Sequence, residues 1–208
     1  MRLKSYLIEI EHAASIVISE IYREIGQLAE IKEDLVKLNA ATEDGYRRAE
    51  FLAMNPDLDD EGLGTAIHWD TYFGADKQRH HKQSEHDDVE AKLKAHELSV
   101  AALSGSLLQY AKQGISLQYG SKRNGCPQGR DLAGLDLHEV IWQGRNQSIH
   151  WEDGTFRIPT EACFQTLATN LDPAFNQYPN RNMAFDIIEA LNWKTFEDFK
   201  NDMELLDP

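Results

Sequence analysis

Gly144-Arg145-Asn146-Gln147-Ser148-Ile149-His150-Trp151 is the one stretch of this chain where residues able to carry chemistry fall at a spacing that a mechanism uses. It closes a helix predicted to begin at Asp136, whose carboxylate can accept backbone N–H groups two and three residues on. Glu139, three residues later, completes a capping box of the Asp-x-x-Glu kind. Leu137, Val140, Ile141, Gly144 and Ser148 recur at helical spacing, so one face is apolar. That face is narrow at Gly144 and Ser148, where a second helix can approach closely. Trp151-Glu152-Asp153-Gly154 supplies the stop.

On this helix Asn146 and His150 are four residues apart and share a face. Arg145 lies about 100° around the axis, near enough for its long side chain to swing over. The three side chains can converge on one oxyanion. Arg145-Asn146-x-x-x-His150 resembles the motif of the HEPN superfamily, small helical bundles that include many metal-independent endoribonucleases of toxin–antitoxin, CRISPR and anti-phage systems. The family pattern is an Arg, four to six intervening residues and a His, with a polar residue, often Asn, after the Arg. A second Arg/His pair, Arg79 and His86, lacks the Asn and sits in the charged run Asp76-Lys77-Gln78-Arg79-His80-His81-Lys82, which reads as a solvated helix face or turn.

The resemblance covers about residues 84–155 and is specific only over 145–150. It implies a metal-independent endoribonuclease that cleaves RNA through attack by the 2′-hydroxyl, in toxin–antitoxin or anti-phage defence. His150 would serve as general acid or base, Arg145 would stabilise charge on the phosphorane, and Asn146 would orient the imidazole or contact phosphate. It further implies a homodimer whose paired motif helices build one composite cleft, an antitoxin or defence-system partner, and no cofactor or metal. The alternative is a non-catalytic HEPN-like RNA- or protein-binding module, favoured by the acidity of the chain and the lack of a second recognisable catalytic group.

The net charge of −14 over 208 residues argues against a general nucleic-acid coat protein, because nonspecific affinity comes mainly from Lys and Arg on phosphates. Its distribution is uneven. Residues 109–150 carry +2, through Lys112, Lys122, Arg123, Arg130 and Arg145, while the flanking segments are acidic. An RNA strand guided by the field is directed to that segment. The loop Tyr119-Gly120-Ser121-Lys122-Arg123-Asn124-Gly125-Cys126-Pro127-Gln128-Gly129-Arg130 contains no acid. It reads either as a surface connector or as a phosphate-contacting lip in which Lys122, Arg123 and Arg130 bind substrate.

Nothing approaches the roughly 18 consecutive apolar residues of a membrane span, and Glu9 and Glu11 interrupt any signal-peptide core, so a cytoplasmic protein without membrane contact is expected. Cys126 and Cys163 give neither a disulfide framework nor a zinc spacing. From Leu3, apolar residues step by three and four through Leu7, Ile10, Ala14, Val17 and Ile21 to Leu38, which predicts a long helix, bent near Gly26. Glu9 and His12 form an isolated Glu-x-x-His, read as surface charge because no second copy accompanies it. A further helix is predicted over 42–54, an acidic turn-rich loop over 55–62 and a short helix holding Ile67, Trp69, Tyr72 and Phe73.

His80, His81 and His86 belong to a solvated connector. A second long helix starts near Ser84 or Asp87 with Val89, Leu93, His96, Val100, Leu103, Leu107 and Tyr110 along its seam. Past the motif, residues 151–159 are the one β-like spot. Thr160 caps a helix through Leu171, a helix runs from Met183 to Leu191, and Thr195 caps a last one whose Phe196, Phe199, Met203 and Leu206 face inward. The predicted fold is all-α, a bundle of two long antiparallel helices with shorter helices packed around them. It forms a single helical domain over 1–208, with an N-terminal helical extension over 1–64 and C-terminal helices over 156–208.

Overall fold

The structure is a computed structural model. It describes residues 2–55 and 76–208, with side chains described throughout except at a number of positions within 34–53 and 76–90. The predicted acidic loop beyond Asn55 and the short helix at Ile67–Phe73 lie outside the described residues, as do the side chains of Arg79, His80, His81 and His86.

The fold is all-α. Helix α1 spans Leu3–Met54, α2 Asp76–Tyr119, α3 Leu137–His150, α4 Ile158–Asn170, α5 Ala184–Leu191 and α6 Phe196–Glu204. Helix α1 is longer than the reading that broke it before Thr42, because 42–54 continues it. Helix α2 likewise begins before Ser84. The chain divides into two compact units, residues 1–25 with 98–208, and residues 26–97. The second holds the later part of α1 and the earlier part of α2. Its described side chains include the exposed Val36, Phe51 and Met54.

In the first unit, Leu3, Tyr6, Leu7, Ala14, Ile18 and Ile21 are buried in one core with Leu107, Leu108, Ala111 and Ile115 of α2, and with α3 to α6. The first 25 residues and the C-terminal helices therefore belong to the same bundle as the motif helix. Burying these apolar stripes against each other supplies the main driving force, about 25 cal/mol per Å² of apolar surface removed from water. Polar contacts set the match between α1 and α2. The Leu3 backbone N–H donates to Gln118 Oε1, and the Tyr6 hydroxyl donates to the Tyr110 carbonyl at 3.0 Å. The C-terminus closes the same end, with the Tyr119 hydroxyl on the Leu206 carbonyl at 2.6 Å and Gln118 Nε2 on Asp207 at 2.8 Å.

Between α2 and α3 the chain makes a two-stranded antiparallel hairpin, β1 Asp131–Leu132 with β2 Leu135–Asp136. Ala133 and Gly134 at its tip have φ of 56° and 87°, the left-handed pair that a two-residue hairpin turn demands. The β structure lies here and not at 151–159, where a 3-10 turn (Trp151–Asp153) ends on Gly154 with φ 63°. Asp136 stands at the N-cap of α3 with extended backbone, yet its side chain makes no cap hydrogen bond. Glu139 is drawn away from the expected capping box by two other donors, Arg123 and Gln143. Helix α4 likewise starts at Ile158, and Thr160, buried, donates to Gln143 Oε1 at 2.7 Å instead of capping. The Thr195–Asp198 capping box of α6 is present as expected, and Phe199, Met203 and Leu206 are fully buried.

Candidate functional site

Helix α3 sits at the centre of the first unit, touching the hairpin, α4 and α5. Its inner face consists of Leu137, Val140, Ile141, Gln143, Gly144, Gln147 and Ser148. The two small residues serve contacts within the chain. A Cβ on Gly144 would come within 3.1 Å of the Ile187 side chain of α5, and Ser148 lies against Gly105 of α2. The close approach expected at Gly144 and Ser148 is thus made by the protein's own helices. Gln147, fully buried, donates to the carbonyls of Tyr178 and Arg181 and accepts from the Met183 backbone N–H, tying the 171–183 segment to α3.

With the inner face fixed, Arg145, Asn146 and His150 are turned to a common cleft of about 490 Å³, completed by Asp153, Thr155, Phe156, Arg157 and Thr160. A cleft of this size is in the range that holds small ligands. Arg145 is half-buried. Its Nε donates to Gln109 Oε1 at 2.6 Å and its Nη1 approaches Asn146 Oδ1 at 3.4 Å. No carboxylate pairs with it among the described residues, and burial pushes its guanidinium below the usual Arg range. A cation left without a counter-ion in a partly desolvated wall favours an anionic visitor.

His150 is the last residue of α3 and its side chain is 56% exposed. Nδ1 lies 3.2 Å from Asp153 Oδ2, one 3-10 turn further on. With the carboxylate holding Nδ1–H, Nε2 is the ring nitrogen left for proton transfer. Asn146 is held from behind by a line of side chains. Arg123 Nη1 donates to Glu139 Oε2, Gln143 Nε2 to Glu139 Oε1 at 2.7 Å, and Asn146 Nδ2 to Gln143 Oε1 at 3.3 Å.

The basic loop is placed differently. Arg130 donates from Nε and Nη2 to the two oxygens of Asp202, at 2.6 and 2.8 Å, and from Nη2 to the Leu191 carbonyl. Asp202 also accepts from Trp193 Nε1 at 2.8 Å. Arg123 pairs with Glu139 and lies 4.6 Å from the Trp142 ring centroid, facing the same ring as Lys112 at 4.8 Å. Lys122 is exposed in the turn. The structure thus brings Arg145, Asn146 and His150 together, and none of Lys122, Arg123 and Arg130 lines their cleft. Sequence reasoning missed Asp153, Arg157 and Gln109. The His150-x-x-Asp153 spacing was a readable signal for the first, whereas nothing in the sequence joined Gln109 to Arg145. Among the described residues no three His, Cys, Asp or Glu stand together as metal ligands, and no helix is long and apolar enough to cross a membrane.

Compared with protein-family models, curated proteins and solved structures, the chain matches none.

Proposed function

We propose that the protein is a HEPN-type, metal-independent endoribonuclease acting in the 145–157 cleft. The observation that carries the reading is local charge. On a chain of net charge −14, the cleft sets two guanidiniums, Arg145 and Arg157, against the single carboxylate of Asp153, which is held by His150. A guanidinium presents a planar fork of donors suited to phosphate, and imidazole titrates near neutral pH. In the proposed step the 2′-oxygen loses its proton and forms a bond to phosphorus, and the bond from phosphorus to the 5′-oxygen breaks. The products are a 2′,3′-cyclic phosphate and a 5′-hydroxyl. His150 transfers a proton at the 2′- or the 5′-oxygen, and Arg145 stabilises the phosphorane charge.

One imidazole serves one end of this reaction, and a second protomer would supply the other. Light scattering at micromolar concentration is expected to give a homodimer, and a monomer overturns the composite-cleft version. A defence-system setting with an antitoxin partner, inside the cytoplasm, belongs to the same proposal. Incubation with structured and single-stranded RNA in excess chelator, followed by chemical analysis of the new ends, tests the activity. Cyclic phosphate ends with wild type and none with His150→Ala are expected. Absence of cleavage on every RNA would favour the alternative, a binding module, which the overall acidity supports.

A further inference from the structure

The reading of the cleft as an RNA site accounts for Arg145, Asn146 and His150 but leaves its far wall unused. That wall contains Phe156, a half-buried aromatic residue directly preceding Arg157. Its ring is braced from inside the protein, with the Tyr178 ring 5.5 Å away at 60°. Tyr178 in turn stacks on Phe164 at 5.4 Å, and Phe164 packs on Phe175 at 6.1 Å. The backbone carbonyl of Tyr178 is fixed by Gln147 of α3, the same helix that carries the motif. A row of aromatic rings anchored to the motif helix therefore ends at a ring that lines the cleft. A half-buried aromatic residue lining a cleft that also carries two guanidiniums is out of place for a bare inorganic anion. It suits a ligand with a flat apolar face attached to a phosphate.

We infer that Phe156 is the platform of a nucleobase subsite, so that the strand taken by the cleft is single-stranded, with one base unstacked onto Phe156 while Arg145 and Arg157 hold phosphate. The inference rests on the RNA reading of the cleft and narrows it to unpaired RNA. Base-on-aromatic stacking is tolerant of sequence and contributes a large share of single-strand affinity. A base in a duplex is already stacked on both faces and must be extruded at a cost before it reaches such a ring.

The test is equilibrium binding by fluorescence anisotropy, on a His150→Ala background so that no strand is cut. The probes are a labelled oligouridylate, a ribose-phosphate strand of equal length without bases, and a perfect RNA duplex. Oligouridylate is expected to bind about tenfold or more tighter than the baseless strand and than the duplex. Phe156→Leu should abolish that difference and Phe156→Trp should keep it. Neither change should alter the salt dependence, since no phosphate contact is lost. Because Phe156 packs on Tyr178, melting temperatures of both variants are measured alongside. Equal binding of the baseless strand, an unaffected preference in Phe156→Leu, or no RNA binding overturns the inference. Base-dependent binding without cleavage by the His150 protein would sink the nuclease reading and leave the base site standing. Cleavage that is indifferent to Phe156→Leu would do the opposite.

Discussion

Asp153 Oδ2 and His150 Nδ1 lie 3.2 Å apart across the junction between α3 and the 3-10 turn that follows it. The turn that ends the motif helix therefore also presents the group that orients the motif histidine. Asp153→Asn keeps one acceptor oxygen but loses the negative charge and puts an NH2 in place of the other oxygen, and Asp153→Ala removes the acceptor. Cleavage is expected to fall roughly 10-fold in both, the lower end of the usual range for an orienting partner. Both side chains are well exposed, so stability should be unchanged. Initial rates and melting curves on the two variants check this.

His150→Ala and Arg145→Ala should each lower RNA cleavage by on the order of 10²-fold or more, the scale of a proton-transfer or electrostatic term. Asn146→Ala should be milder. The competing reading, in which these residues only finish a helix, predicts a loss of about 1 kcal/mol in stability and no change in activity. Melting temperature and cleavage measured on the same three proteins separate the two.

Arg130 and Lys122 should part company. Arg130→Ala breaks the bidentate pair with Asp202 and leaves a 9% exposed carboxylate side chain with Trp193 as its remaining donor. A loss of about 2–3 kcal/mol is expected, below the full cost of breaking a buried pair because Arg130 is about a third exposed. Lys122→Ala, at an exposed turn, should leave stability within about 0.5 kcal/mol. Denaturant titration of the two variants reads the difference. Equal stability would remove the structural role assigned to Arg130.

Burial pushes the Cys126 thiol up to about 11 and that of Cys163 up to about 12. The shift is upward, so at pH 8 each holds less of the reactive thiolate than a free cysteine does. Alkylation of the folded protein at pH 8 should be at least about 100-fold slower than in denaturant, with Cys163 the slower of the two. Peptide mapping of the modified sites provides the measurement. Rapid native labelling of Cys163 would contradict its burial.

The helical class and the motif helix were legible because apolar spacing and turn residues are local properties. Leu3, Leu7, Ala14 and Ile21 announced a stripe, and all four are buried. The roles of single polar residues were less legible, because those depend on which remote donor arrives. Glu139 had the right offset for a capping box, but Arg123 and Gln143 claimed its oxygens. Arg130 belonged to a basic loop in sequence, and Asp202, distant in the chain, made it a structural cation. Gly144 was read correctly as a place of close approach, though its neighbour Ile187 comes from α5 of the same chain.

The line of side chains from Arg123 through Glu139, Gln143 and Asn146 to Arg145 obeys a parity rule. Both ends are guanidiniums, which only donate, and the two amides in between each pass a donor one way and an acceptor the other. Such a row closes only if it contains one group that accepts on both sides, and Glu139 is that group. Glu139→Gln alters shape hardly at all, yet wherever the amides are turned, two N–H groups must then face each other at some link. The mismatch reaches the link between Asn146 and Arg145 only if the Gln143 amide turns away from the Thr160 hydroxyl, so the setting of the motif's own amide is coupled through Gln143 to a carboxylate two helical turns away.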